Sequence, residues 1–182
     1  MEFVLQPFQA QVSRSDQAYH LLKEAILSLR LRPGEALVET HLARQLGIST
    51  TPLREALARL KREGLVDGHP FKGACVAPVT LDDAREVLEI RASLEADSVA
   101  SARDRLSDAD LASLHELLDQ QRSALRLDAL DQCSALGKQF HMLLLRSSHN
   151  RHLNAIFENL DDHFQRIRLL SGHIPRRLQE SL

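Results

Sequence analysis

The chain has 182 residues, enough for one large domain or two small ones with a buried core. Its 43% hydrophobic and 26% charged residues exclude disorder as the main state, and 4% aromatics with no Trp and one Tyr argue against an all-β sandwich, leaving helix as the favoured class. Cys75 and Cys133 are too few and too far apart for a disulfide framework or a CxxC metal site, no apolar run approaches the roughly 18 residues of a membrane span, and the start MEFVLQPF lacks the pattern of a signal peptide, so a cytoplasmic protein without a membrane partner is expected.

Residues 1–13 have no clear period and read as a tail. Ser15 and Asp16 then offer capping oxygens to a first helix with Tyr19, Leu22, Ala25, Ile26 and Leu29 at helical spacing, stopped by Pro33-Gly34. A second helix starts near Glu39, turns Leu42, Ala43 and Leu46 inward and ends at Gly47. Ser49 or Thr51 can cap a third, which carries Pro52 in its first turn, buries Leu53, Ala56, Leu57 and Leu60, and points Thr51, Glu55, Ala58 and Arg62 outward. Leu65-Val66 and Ala74-Cys75-Val76 are β-prone runs around DGHPFKG, a hairpin signal.

After Pro78 the composition shifts to long amphipathic segments. Thr80-Leu81-Asp82-Asp83 caps a helix to about Arg103, with Val87, Leu88, Ile90, Leu94 and Val99 among its apolar positions. Ser107 to Asp110 caps the next, to about Leu125; another runs from about Leu127 to Ser148, and Asn150 opens one reaching Leu170. Ser171-Gly172 breaks that helix, and Pro175 sits near the start of a further short one. Net charge divides at the same place: ten Lys/Arg face seven Asp/Glu over 14–79, and thirteen face seventeen over 80–182. A mildly basic head on an acidic body suits a polyanion-binding module joined to something else.

The segment LARQLGISTTPLREALARLKREGLV, residues 42–66, has the helix-turn-helix pattern, whose second helix reads the major groove with its N-terminal residues. Thr50, Thr51 and Arg54 fall there: helix N-terminal amides and hydroxyls suit phosphate, and the Arg54 fork suits the guanine acceptors. Arg59, Lys61, Arg62 and Lys72 would add sequence-independent phosphate attraction. Thr40 and Ser49 complete the candidate set at the helix starts, with His69 and Lys72 at the tip of a wing. The same helices could equally form an ordinary core with solvated charges.

Across nearly the whole chain these residues resemble the GntR family of bacterial transcription regulators. The matching pieces are ILSLRLRPGEALVETHLARQLGISTTPLREALARLKREGLV and the wing glycine Gly73 before Val76. LEIRASLEADSVASA, with Arg91 and Glu95, and FHMLLLRSSHNRHL, with His141 and Asn150, resemble the FCD effector domain of the FadR branch. The resemblance implies a mainly α chain: a tail over 1–13, a winged helix-turn-helix over 14–79 and an all-α, FCD-like effector-binding and dimerisation bundle over 80–182. It also implies a metabolite-responsive repressor that acts as a homodimer on an inverted-repeat operator in double-stranded DNA.

Two departures qualify it. The family usually carries arginine directly after the serine of the turn, where this chain has Thr50, so a contact class worth roughly 1 to 3 kcal/mol of base discrimination is missing. Many FCD domains hold a divalent metal through an aspartate four residues before the histidine matching His141, that histidine, and two later ones. Gly137 stands at the aspartate position, and the sequence stops at RRLQESL where the family continues, so an incomplete effector domain, exposed apolar helix faces and no typical metal affinity are expected.

His149 and His152 share a face, but His152 lies roughly 16 Å along a continuous helix from His141, while His163 and His173 follow no ligand spacing. His141 itself reads either as a pocket residue inherited from a metal site or as a hydrogen-bonded core histidine. Arg91 could hold an effector carboxylate bidentately or pair with Glu95 at i+4. No Gly-rich phosphate loop, GxSxG or HExxH points to an enzyme. The competing class is a helical ligand-binding or interaction module without specific DNA binding.

Overall fold

The computed structural model describes residues 13–69 and 73–171, and the chain separates into two compact units between Pro78 and Val79. The first begins with α1 (Arg14–Leu27), followed by β1 (Ala36–Leu37), α2 (Glu39–Leu46), α3 (Thr50–Arg62), β2 (Val66–His69) and β3 (Gly73–Val76). The cap of α1 is Ser13, whose hydroxyl accepts from the Asp16 amide, rather than Ser15 or Asp16. Leu29, expected on the helix, lies beyond it at φ 58°, because the chain turns back before Pro33.

Apolar spacing places Leu22 and Ile26 of α1 against Leu53, Ala56, Leu57 and Leu60 of α3, and Leu65, Val66 and Val76 close the core from the sheet. Several are wholly buried, so Leu53→Ala or Leu60→Ala falls in the roughly 2 to 5 kcal/mol class of core truncations. The hairpin β2/β3 is antiparallel, with Val66 opposite Val76 and His69 opposite Gly73. β1, too short for a sequence period to show, pairs with β3 and gives the order β1-β3-β2. The wing tip with Lys72, and the His69 side chain, lie outside the described residues, as do the tail and the segment holding His173 and Pro175.

The second unit contains α4 (Leu81–Ala102), α5 (Asp108–Arg126), α6 (Leu130–Ser147) and α7 (Arg151–Leu170). Full capping boxes start α4 at Thr80/Asp83 and α5 at Ser107/Asp110, and the Asn150 carboxamide accepts from two amides of α7. α5 ends at Leu127 and Asp128 takes φ 55°, so α6 starts three residues later than its hydrophobic pattern predicts. Ala124, Cys133 and Leu136 join α5 to α6, whereas Leu145, Leu153 and Phe157 form a second small core with Leu94 and Met142. On α4 the apolar Ile90 and Val99 are half exposed, and the buried positions are Arg91, Ser98 and Ala102.

Candidate nucleic-acid interface and effector site

Gly47 ends α2 in the left-handed region, φ 64°, and its N–H and that of Ile48 close the turn on Arg44 and Ala43 carbonyls. A side chain would be strained at that angle, so glycine fixes the angle at which α3 leaves the turn. Ser49 occupies the N-cap of α3 in extended geometry but makes no side-chain capping bond. Proline explains part of this: a capping hydroxyl reaches the second or third helical amide, and the third residue, Pro52, has none. The first turn therefore presents its amides and the Ser49 and Thr51 hydroxyls without a capping partner, the arrangement that receives phosphate.

Arg54 is exposed, and its Nε donates to Glu39 Oε2 at 2.6 Å. Glu39 starts α2, so the pair spans the turn and leaves both Nη atoms of Arg54 to meet a planar acceptor pair. Arg62, Thr40 and Arg44 are also exposed, and among the described residues neither Arg62 nor Arg44 pairs with a carboxylate. Arg59, another of the expected phosphate contacts, is already engaged within the head. Its Nη1 meets Asp16 Oδ1 at 2.5 Å and its guanidinium lies 3.9 Å from the Tyr19 ring centroid, joining α3 to α1. Tyr19 in turn donates to Glu63 at 2.8 Å.

In the helical unit the structure realises the i+4 pairing of Arg91: its Nε donates to Glu95 Oε1 at 2.7 Å. A second carboxylate, Asp161 of α7, accepts from Arg91 Nη1 at 3.1 Å and from Lys138 Nζ of α6 at 2.7 Å. The Arg91 guanidinium also lies 4.1 Å from the centroid of Phe164 and 4.9 Å from that of Phe157. Sequence reasoning missed Asp161 and Lys138. The available signal was an acidic residue set between Phe157 and Phe164 on the apolar stripe of α7. His141 Nδ1 lies 3.2 Å from Glu95 Oε1, and burial pushes the imidazole below its ordinary value, outweighing the opposite pull of Glu95.

A metal of the family type does not fit the described residues. Gly137 offers no ligand atom, and a Cβ there would lie 2.7 Å from Gln121 Nε2, a donor that itself bonds the Cys133 carbonyl at 3.1 Å. His141 is turned to Glu95, and no three His, Cys, Asp or Glu side chains converge among the described residues. No described helix is long and apolar enough to cross a membrane.

A three-helix head with an exposed recognition helix and a two-stranded wing, joined to a helical unit with a charged interior, defines a winged helix-turn-helix regulator. The family model for bacterial regulatory proteins, gntR family, matches residues 14–76, and that for the FCD domain matches 86–182. The chain belongs to the GntR family and carries an FCD domain; it is a transcriptional regulator, not an enzyme. It is 34% identical to the HTH-type transcriptional regulator YdhC of Bacillus subtilis, over 86% of this chain and 71% of that one. The Escherichia coli HTH-type transcriptional repressor RspR is 27% identical over 86% of this chain and 69% of its own. The solved structure of E. coli McbR/YncC superposes with a TM-score of 0.70 at 31% identity, covering 93% of this chain and 81% of that one.

Proposed function

We propose that this regulator is a metabolite-responsive repressor that binds an inverted-repeat operator as a homodimer in the cytoplasm. The observation that carries the reading is the first turn of α3, exposed and uncapped, with Arg54 held at its Nε by Glu39 so that the fork is free for a guanine edge. Thr50, Thr51, Ser49 and Thr40 contact the phosphates around that fork, Arg62 adds long-range attraction, and His69 and Lys72 on the wing extend the footprint. Arg59 serves mainly to brace α3 on α1, through Asp16 and Tyr19.

One recognition helix covers only a few base pairs, which favours two copies on a symmetric site. The repressor of E. coli among the relatives supports the sign of the effect. A small carboxylate is the effector class, received on the face of the helical unit that Arg91 and His141 share. Selection of bound duplexes from a random-sequence pool, followed by footprinting, tests the reading. An enriched palindrome protected on both halves supports it; recovery of unrelated sequences would favour a helical ligand-binding module instead.

A further inference from the structure

The outermost stripe of α3 carries Thr51, Glu55, Ala58 and Arg62 at i, i+4, i+7 and i+11, all exposed and opposite the buried Leu53, Ala56, Leu57 and Leu60. Arg54 and Arg59 flank it, one turned to Glu39 of α2 and the other to Asp16 of α1. Glu55 is the single carboxylate of this helix and lies near the middle of the exposed face. Its natural partner for an ion pair is Arg59, four residues on in the favourable order. That guanidinium is bound to Asp16 and lies 3.9 Å from the Tyr19 ring centroid instead. Among the described residues no cation lies within ion-pair distance of Glu55.

A lone carboxylate on a surface that meets phosphates is repelled by them, so it fits this face only where the groove offers it a donor. Major-groove edges offer two amines: N6 of adenine, which sits beside the N7 acceptor, and N4 of cytosine, whose edge carries no acceptor. Adenine N7 repels a carboxylate, which leaves cytosine as the base that suits it. We propose that Glu55 is a base-reading residue, accepting from the N4 amine of a cytosine in the base pair next to the guanine that Arg54 contacts. The spacing follows from adjacency in the chain: consecutive Cα atoms lie about 3.8 Å apart, close to the roughly 3.4 Å step of a duplex. The proposal rests on the DNA-binding reading above and adds a second specified position to it. It also supplies discrimination that Thr50, short and uncharged, does not.

Exchange of each C·G pair for T·A in a duplex selected by the full chain, followed by binding at one salt concentration, tests the assignment, because thymine O4 puts an acceptor where the amine stood. One exchange, beside the guanine whose replacement Arg54→Ala tolerates, should weaken parent binding about tenfold. In Glu55→Ala the same exchange should cost less than about twofold, while replacement of the guanine keeps its full penalty. Reselection with Glu55→Gln, whose carboxamide suits adenine N6 and N7, should replace the cytosine by adenine.

Cytosine penalties unchanged in Glu55→Ala would overturn the proposal, as would cytosine retained by Glu55→Gln. Affinity raised equally for every duplex in Glu55→Ala would also overturn it, since that is the result of removing a solvated charge from a phosphate-facing surface. The parent keeps the two readings apart. No enriched duplex removes the regulator reading and this one with it, whereas an enriched duplex with an Arg54-dependent guanine and no Glu55-dependent cytosine removes this assignment alone.

Discussion

Asp161→Ala removes the carboxylate of α7 that joins α4 and α6 through the charged seam. Asp161 is 6% exposed and accepts from Arg91 Nη1 and Lys138 Nζ. Breaking a buried pair by deleting one partner costs about 3 to 5 kcal/mol in general, because the other charge stays buried. Two features of this site reduce that figure. Glu95 still holds Arg91 Nε at 2.7 Å, and Lys138, 52% exposed, can turn its ammonium to water. A loss of about 2 to 4 kcal/mol is therefore expected.

Urea unfolding followed by far-UV circular dichroism measures that loss in the helical unit. Tyr19, the single tyrosine in a chain without tryptophan, lies on α1, so its fluorescence reports the head and gives an internal control. The dichroism transition should move to lower urea while the fluorescence midpoint holds. Replacing both partners, Arg91→Met with Asp161→Leu, should recover at least half of the loss, since an apolar pair carries no stranded charge. A loss below about 1 kcal/mol, the range of surface pairs, would show that Asp161 is solvated and that the seam is not a buried charge network.

Three further outcomes are expected. Glu39→Gln should reduce discrimination between selected and random duplexes while leaving the salt dependence of binding intact, which filter binding at several salt concentrations would show. The folded value of His141 lies below its unfolded value of about 6.5, so its contribution is complete above that pH and is lost as pH falls below it; His141→Gln should flatten this acid limb of a stability profile measured beside Glu95, Arg91 and Asp161. Ser107→Ala removes the hydroxyl of a reciprocal cap and should cost about 1 kcal/mol in the same urea assay.

The head was legible because its signals are local. Pro52, Gly47 and the Leu53, Ala56, Leu57, Leu60 spacing each fix one feature of a short segment, and the structure places them as the pattern implies. β1 escaped because two residues carry no period, and Ser13 escaped because Ser15 and Asp16 offer equally good capping chemistry two residues on. In the helical unit two buried positions of α4 lie off its apolar residues: Arg91 is held by Glu95 and by Asp161 of α7, and the Ser98 hydroxyl donates to the Leu94 carbonyl of α4 itself. The i+4 spacing exposed Glu95 as a partner for Arg91, but Asp161 is seventy residues away, and only tertiary packing brings it there. Arg59 shows a contact no spacing announces: Asp16, forty-three residues earlier, and Tyr19 lie against it only in the folded head.

The central claim is that α3 reads base sequence through Arg54, and the ratio of affinities for a selected duplex and a random one, measured at one salt concentration, tests it most directly. Arg54→Ala should lower that ratio by a factor corresponding to about 1 to 3 kcal/mol, while Arg62→Ala should weaken both affinities alike and leave the ratio unchanged. An Arg54→Ala chain that keeps the full ratio would contradict the account, because the recognition surface would then lie elsewhere in the head.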